Sequence, residues 1–365
     1  MKIQCVKEKL QIAISKAEKI TGKNLTLPIL SNILLEVKKD NLVISSTNLD
    51  IGIEITVPGK VTETGKVVVP GNVLYSLVHT LTDPKITLET KDQTLHISSD
   101  NTSTTIKTVS DEDFPSIPNI PSRESFEMNT EGFLDGIRSV FYAASVSNMK
   151  PELSSVYITS DEGNVIFVAT DSFRLAEKKI KSKKTPNFQD ILIPVKNVVE
   201  IIKTLDGVSG DLSIQISEGQ LTLRTEEIYL TSRLVDGNFP DYKQIIPKEV
   251  STNATVLKQD FMNSLRTANI FSDKFNKIKF KVSPKEKQFV LQTKNTDLGE
   301  NTTLIDAAFS GEEIELNFNH KYIVDSFQSI YSDSISLDFN GEGKPMIIKG
   351  VSDSNFLYLA MPMSN

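Results

Sequence analysis

Two hydrophobic patterns alternate along the chain. Apolar residues recur at helical spacing in six stretches, whereas apolar and polar residues alternate in hairpins such as Ile86 to Ile97, a period of two that is typical of half-buried strands. The six predicted helices are residues 7–23, 70–81, 130–145, 194–205, 258–270 and 319–330. The alternation predicts an α+β fold in which each helix buries one apolar face against antiparallel sheets and leaves the other face free.

The order of elements repeats three times. Pro70, Pro194 and Asn319 each separate an apolar strand from a helix, at spacings of 124 and 125 residues. A proline also closes each repeat, at spacings of 125 and 122 residues, and these prolines are Pro115, Pro240 and Pro362. Three unrelated domains would not share a constant period, so the spacing indicates three tandem homologous domains. We expect them at residues 1–122, 123–248 and 249–365.

The residue types that catalysis or metal binding requires are sparse. The single cysteine, Cys5, cannot form an intrachain disulfide, and the three histidines show no metal-ligand spacing. The sequence has no glycine-rich phosphate loop and no nucleophile motif. The acidic residues Asp111 to Asp113 lie at a predicted linker, where such runs are usually solvated. We therefore expect no catalytic residue, no metal and no cofactor.

The N-terminus and the hydropathy bound the cellular location. The first ten residues, MKIQCVKEKL, lack an apolar signal core, and no window approaches the ~18 apolar residues of a membrane span. We expect a soluble, cytoplasmic protein without membrane contact.

Four segments combine into a specific signature. They are LPILSNILLE at 27–36, ATDSFRLA at 169–176, VDGNFPDY at 235–242 and YLAMPM at 358–363. In this order, on a threefold repeat, they make the whole chain resemble the bacterial β sliding clamps, the processivity subunits of DNA polymerase III. The resemblance implies three clamp domains with antiparallel sheets outside and two helices each inside, and a head-to-tail homodimer that closes a ring around duplex DNA without sequence specificity.

The resemblance changes the interpretation of the net charge. Against 40 basic side chains the chain carries 47 acidic ones, a net charge of -7 that by itself argues against a polyanionic partner. The six predicted helices sum to +4, which leaves -11 for all other residues. A channel lined by these helices would be mildly positive inside an acidic shell, which suits a ring that holds DNA by topology.

The resemblance also implies binding sites, residue by residue. A pocket for short peptide segments of the polymerase III α subunit, the clamp-loader δ subunit and other polymerases would comprise Leu153, Thr170, Ser172, Phe173, Arg174, Leu175, Pro240, Ile245, Ile246, Phe275, Asn319, Tyr322, Met346, Met361, Pro362 and Met363. The residues expected to face DNA are Lys23, Asn24, Ser147, Asn148, Lys150 and Lys196. The residues expected at the subunit boundary are Val73, Leu74, Leu77, Phe271, Lys274, Phe275, Lys277 and Ile278.

Two functions from different classes remain open. The first is a non-catalytic clamp, for which any polymerase or exonuclease activity would belong to the holoenzyme. The second is a three-domain peptide-binding scaffold without a role on DNA. The clamp predicts a dimer of about 81 kDa, twice the 40.5 kDa chain, and retention on nicked circular DNA that is lost when the circle is linearised.

Overall fold

The structure, a computed structural model, describes residues 1–22, 26–119, 124–182, 188–217 and 219–364. Within these residues the chain forms six α-helices. They are α1 (Lys7–Ile20), α2 (Gly71–Thr80), α3 (Thr130–Val140), α4 (Val195–Leu205), α5 (Lys258–Asn269) and α6 (His320–Ser326). All six predicted helices are confirmed. The third and sixth are shorter than predicted because 3-10 turns, Phe141–Ala143 and Phe327–Ser329, follow them.

The same residues form 25 β-strands. The first thirteen are β1 (Lys2–Val6), β2 (Asn32–Val37), β3 (Asn41–Thr47), β4 (Ile51–Glu63), β5 (Gly65–Pro70), β6 (Lys85–Lys91), β7 (Thr94–Ser98), β8 (Ser103–Lys107), β9 (Glu124–Asn129), β10 (Ser155–Asp161), β11 (Asn164–Thr170), β12 (Arg174–Lys181) and β13 (Ile191–Pro194). The others are β14 (Asp211–Ser217), β15 (Gln220–Arg224), β16 (Ile228–Arg233), β17 (Thr252–Leu257), β18 (Lys277–Ser283), β19 (Gln288–Asn295), β20 (Gly299–Ile305), β21 (Ala307–Gly311), β22 (Ile314–Asn319), β23 (Ser334–Phe339), β24 (Met346–Gly350) and β25 (Phe356–Ala360).

The first of two compact units contains the described residues within Met1–Glu131, Asn187–Gln189 and Lys196–Leu234. Its twelve strands form one antiparallel sheet in the order β8-β7-β6-β1-β4-β16-β15-β14-β9, with β2, β3 and β5 attached beside β4. Helix α1 packs on this sheet because Leu10 and Ala17 lie on one helical face and both are fully buried.

The second unit contains the described residues within Gly132–Pro186, Asp190–Val195 and Val235–Asn365. Nine strands form the order β13-β10-β11-β12-β25-β24-β23-β17-β21, and four more form β20-β19-β18-β22. A cluster of phenylalanine rings fills the core beneath α5, where the Phe261 ring lies 5.8 Å from Phe280 and 5.9 Å from Phe289.

The sheets continue across the boundaries between sequence repeats. The last strand of the second repeat, β16, pairs antiparallel with β4 of the first repeat. The last strand of the third repeat, β25, pairs in the same way with β12 of the second. By contrast, β8 and β20 lie at the ends of their sheets among the described residues. Each internal boundary is therefore a strand pair, and two matching strands have an open edge.

Candidate partner-binding site

The turn between β11 and β12 is built by its own side chains. The Thr170 hydroxyl donates to the backbone oxygen of Arg174 at 2.6 Å and accepts from the backbone N–H of Ser172 at 3.1 Å. The Asp171 carboxylate accepts the backbone N–H groups of Phe173 and Arg174 at 2.9 and 3.0 Å. Ser172 has a φ of 77°, a left-handed conformation that these local hydrogen bonds maintain. As a result the Phe173 side chain is 61% exposed.

The Arg174 side chain ties this turn to two other segments. Its guanidinium donates from Nε to Asp171 at 3.0 Å, from Nη1 to Asp325 at 2.6 Å and from Nη2 to the backbone oxygen of Tyr142 at 2.6 Å. The guanidinium carbon also lies 4.5 Å from the centre of the Tyr322 ring. Arg174 is buried. Its hydrogen bonds therefore fix the positions of the turn and of α6 rather than reach toward a ligand.

An apolar floor lies beside Arg174. Five buried residues form it: Ile166, Val168, Leu175, Tyr242 and Leu359. Five partly buried residues pack against it: Tyr157, Phe239, Ile246, Leu357 and Met361. Leu175 and Leu359 face each other across the β12–β25 pair, so the strand junction itself supplies the centre of the floor.

Three aromatic residues form one wall of the site. The Tyr157 and Phe239 rings stack at 4.7 Å, and Tyr242 packs edge-on against both. The Tyr242 hydroxyl donates to Glu177 at 2.6 Å. Burial and this hydrogen bond raise the pKa of Tyr242. Burial, together with a hydrogen bond to Asp190, raises the pKa of Tyr157 to about 12. Both phenols stay neutral near pH 7.

The last described residues complete the opposite wall. The Met361 N–H donates to the Phe173 oxygen at 2.8 Å, and the Met363 N–H donates to the Asn317 oxygen at 2.7 Å. Met361, Pro362 and Met363 are half-buried. This segment is therefore held against the turn that presents Phe173, with its side chains partly open to solvent.

The predicted peptide-site residues divide by exposure. Phe173, Ile245 and Phe275 are exposed by 61%, 48% and 58%. The half-buried or exposed remainder is Ser172, Pro240, Ile246, Asn319, Tyr322, Met361, Pro362 and Met363. The residues Leu153, Thr170, Arg174, Leu175 and Met346 are buried. The buried members shape the site from below, and their contact with a peptide stays a prediction.

Phe275 and Asn319 lie together at the start of α6. Asn319 caps this helix by accepting the Lys321 N–H at 3.0 Å. The His320 N–H donates to the backbone oxygen of Asn276, next to Phe275, at 2.7 Å. The inclusion of Phe275 in the peptide site stays a prediction.

Sequence reasoning missed much of the aromatic wall and both carboxylates that hold Arg174. Tyr242 ends the VDGNFPDY signature, which is the signal that could have placed it in the site. Asp325 lies 151 residues from its partner Arg174, and no sequence signal connects the two.

The residues expected to face DNA are only partly described. Lys23 and Asn24 lie outside the described residues. Ser147, Asn148 and Lys150 follow α3 on an open loop, in which the neighbouring Val146 and Met149 are 99% and 90% exposed. Lys196 is exposed, and its ammonium pairs with Asp50 at 2.6 Å.

The residues expected at the subunit boundary need a correction. Leu74 of α2 and Ile278 of β18 are fully buried in the cores of their own units. They therefore cannot contact a second chain. Val73, Lys274 and Phe275 are exposed, whereas Leu77, Phe271 and Lys277 are half-buried. An interface through these six residues stays a prediction.

Within the described ranges, no three histidine, cysteine or acidic side chains cluster as metal ligands. None of the helices in these ranges combines the length and apolar character needed to cross a bilayer.

Comparison with known proteins gives one answer along the whole chain. Family models of the DNA polymerase III beta subunit match in order: the N-terminal domain at residues 1–118, the central domain at 127–241 and the C-terminal domain at 243–364. The β sliding clamp of Synechococcus elongatus is 24% identical over 371 residues, which are 100% of this chain and 99% of that protein. The clamp of Staphylococcus epidermidis is 26% identical over 349 residues, 93% of this chain and 92% of that protein.

A solved structure agrees with these relatives. The crystal structure of the DNA polymerase III beta subunit from Thermotoga maritima matches with a TM-score of 0.93 and 27% identity, and covers 100% of this chain and 99% of that one. The fold thus defines a three-domain clamp with an apolar surface at a strand junction. The chain belongs to the DNA polymerase III beta subunit family, the bacterial β sliding clamps. The α+β clamp fold expected from the sequence is confirmed.

Proposed function

We propose that the chain is a non-catalytic DNA sliding clamp, which encircles duplex DNA without sequence specificity and tethers the replicative polymerase for processive synthesis. The observation that carries the proposal is the pattern of strand junctions: two are closed inside the chain, and the two matching edges, β8 and β20, are open. A second copy can close both. The proposed domains are 1–122, 123–248 and 249–365, which the three family matches support. Bacterial DNA is cytoplasmic, so we place the protein there.

The strand pair that closes the ring can be inferred by extending the pairing between repeats to a second chain. Because β16 pairs with β4 and β25 pairs with β12, the third equivalent pair is β8 of one chain with β20 of its partner. The strands β4, β12 and β20 each follow a short turn after β3, β11 and β19. A head-to-tail pair of this kind repeats at both ends and closes a two-chain ring.

The register of this pair can be derived as well. Ser232 of β16 lies opposite Ile51, the first residue of β4. Ala360 of β25 lies opposite Arg174, the first residue of β12. In its own hairpin, Ile106 of β8 occupies the position that Ser232 and Ala360 occupy in theirs. Ile106 should therefore lie opposite the first residue of β20.

The first residue of β20 is Gly299, so Thr105 should face Glu300 of the partner. A Thr105→Cys, Glu300→Cys double variant should form a disulfide-linked dimer of about 81 kDa on oxidation, twice the 40.5 kDa chain. Thr105→Cys with Thr302→Cys is the matched control. It keeps the same strands but lies two residues out of register, which puts the Cα atoms beyond the ~7 Å that a disulfide spans.

Non-reducing electrophoresis detects the cross-linked dimer, and mass measurement in solution gives the oligomeric state. Efficient cross-linking of the first pair over the second supports the register. A monomer at micromolar concentration, or equal cross-linking of both pairs, would count against ring closure through these strands. The native Cys5 is buried, and burial raises the pKa of its thiol to about 11, so it does not compete.

We also propose that the partner-binding site takes short peptide segments from the polymerase III α subunit, the clamp-loader δ subunit and other polymerases. What supports this is an apolar floor between an aromatic wall and a methionine-containing segment. Buried pockets of this type bind aliphatic and aromatic anchors, and methionine repacks around related ligands. Phe173, Ile245 and Met361 are the contact residues that their exposure favours.

On the DNA side, we propose weak phosphate contacts by the helices and the Ser147–Lys150 loop. Helix α1 carries four lysines and two glutamates. Lys196 would exchange its exposed Asp50 partner for a phosphate, a change that costs little because an exposed ion pair contributes about 0 to 1 kcal/mol. The alternative, a peptide-binding scaffold without a DNA role, predicts no dependence of binding on DNA topology.

A further inference from the structure

A cleft of about 370 Å³ lies in the first unit, apart from the partner-binding site. Its walls come from one face of α1, the middle of β4, the residues after α4 and the turn between β15 and β16. Ile12, Val57 and Val208 contribute apolar surface. The volume falls within the range of small-molecule sites, about 300 to 1,000 Å³.

The equivalent place in the second unit is filled by a polar network. The Lys178 ammonium is buried and lies 3.5 Å from the carboxylates of both Asp135 and Asp353. Tyr331 covers it: its hydroxyl donates to Asp135 at 3.0 Å, and its ring centre lies 5.7 Å from the Lys178 nitrogen. An aromatic ring beside an ammonium therefore completes this version of the junction.

The first unit lacks each member of that network. Ile12 and Asp135 are the sixth residues of α1 and α3, and Ile55 and Lys178 are the fifth residues of β4 and β12. The four replacements are Ile12 for Asp135, Ile55 for Lys178, Asp206 for Tyr331 and Thr225 for Asp353. In the first unit, aliphatic side chains thus occupy the positions that correspond to Asp135 and Lys178, and no aromatic ring covers them. The space above them forms the cleft.

A different cation lies at this cleft. Lys16 lines it and is half-buried, and its ammonium donates to the backbone oxygen of Asp206 at 3.3 Å. Burial lowers the pKa of Lys16, and the nearby Asp206 and Glu227 carboxylates act against this shift. Glu226 and Glu227 line the cleft too and disfavour a second anionic group on the ligand.

We propose that this cleft binds a small molecule with one aromatic ring and one carboxylate. The ring of the ligand packs on Ile12 and Val57, in the way that the Tyr331 ring covers Lys178 in the second unit. The carboxylate of the ligand pairs with the Lys16 ammonium. A charge-assisted hydrogen bond at a partly dry site is about twice as strong as a neutral one, which favours the anion over a neutral ring. The cleft shares no lining residue with the apolar floor of the partner-binding site.

Phenylacetate is the probe, titrated into the full-length protein and followed by ligand-observed NMR. For a ligand of this size we expect a Kd of about 1 mM. Lys16→Met keeps the length of the side chain without its charge and should weaken binding about fivefold or more. Ile12→Trp should fill the cleft and abolish binding. Lys19→Met removes an exposed lysine of the same helix that does not line the cleft, and should leave the Kd within about twofold.

All three substituted side chains are at least partly exposed, so the variants are expected to fold, and the NMR spectrum of each protein checks this. Wild-type affinity in Lys16→Met or in folded Ile12→Trp overturns the proposal. So does the absence of binding at about 20 mM phenylacetate, or an equal loss in Lys19→Met.

Discussion

Two strand junctions can be compared: the first pairs β16 with β4, and the second pairs β25 with β12. The same kind of turn precedes β4 and β12, but the two junctions present different surfaces. Thr47 donates to the backbone oxygen of Ile51 at 2.9 Å, as Thr170 donates to that of Arg174 at 2.6 Å. The middle residue of each turn has the same left-handed backbone, with a φ of 76° at Leu49 and 77° at Ser172. Backbone geometry is therefore common to both repeats and does not determine which one binds a partner.

The side chains after the turn make the difference. In the first junction Gly52 leaves no side chain over the sheet, and Ile117 fills the space, 3.2 Å from where a Cβ would lie. In the second junction Leu175 and Tyr242 build an apolar floor. One junction is closed by its own linker, and the other is left partly open beside Arg174.

The same sheet face in the third repeat is different again. There Lys279, Gln292 and Glu300 line a polar hollow of about 330 Å³. Such a surface suits contacts with water or with a polar partner and cannot hold an aliphatic anchor without leaving charges unpaired. Three copies of one fold thus carry a filled, an apolar and a charged version of one surface.

The largest difference in stability between the two junctions should come from the residue after the turn, Arg174 in the second junction and Ile51 in the first. Arg174→Met removes the cation between Asp171 and Asp325 and should cost about 3 to 5 kcal/mol, because two partly buried carboxylates lose their partner. Ile51→Met, at the matching position of the first junction, should cost less than about 1.5 kcal/mol because volume and polarity are kept. Hydrogen exchange of the β12 and β4 amides measures both. Equal losses would mean that the Arg174 network adds no stability.

Alkaline pH should weaken the second junction more than the first. The folded pKa of Tyr157, about 12, lies above the ordinary value of about 10, so the folded protein holds this proton more tightly than the unfolded chain does. The resulting stability is complete below pH 10 and is lost as the pH rises to about 12. The matching residue of the first junction, Leu34, does not titrate.

Unfolding measured between pH 9 and pH 12 tests this difference. Tyr157→Phe keeps the ring stacked on Phe239 and should reduce the alkaline loss by about 2 kcal/mol, a value discounted for partial exposure. An unchanged alkaline loss in this variant would contradict the assigned environment of Tyr157.

A smaller effect is expected in peptide affinity. Met361→Ala removes a half-buried side chain from the wall of the site and should weaken an apolar polymerase-tail peptide about tenfold, close to 1.4 kcal/mol. Arg233→Ala, at the matching strand end of the first junction, is the control and should leave the affinity unchanged. Calorimetric titration compares the two. The site assignment fails if Met361→Ala binds as the wild type does while the Arg233 variant weakens.

The sequence predicted what is local and missed what is long-range. All six helices followed from apolar spacing, because a helical face is set by residues three and four apart. The turn at Thr170 could be recognised from its signature, but its connection through Arg174 to Asp325 and Tyr142 depends on how the sheet brings distant segments together. Leu74 was placed at an interface by the family resemblance, whereas the structure buries it in the core of its own unit.

The pairing of strands across repeats was also beyond the sequence. Several hairpins alternate in the same way, so nothing in their pattern selects β4 as the partner of β16. Once these two junctions are seen, the open edges at β8 and β20 follow, and the ring-closing pair can be derived.

The central claim, that DNA is held by topology, has one direct test. The reduced Thr105→Cys, Glu300→Cys protein is mixed with nicked circular duplex DNA, oxidised to close the ring and then washed in about 1 M salt, which removes most electrostatic contacts. The account predicts that the cross-linked dimer stays on the circle and is released when the circle is cut once. Equal retention on circular and linear DNA, or release of the cross-linked dimer from the intact circle, would contradict it.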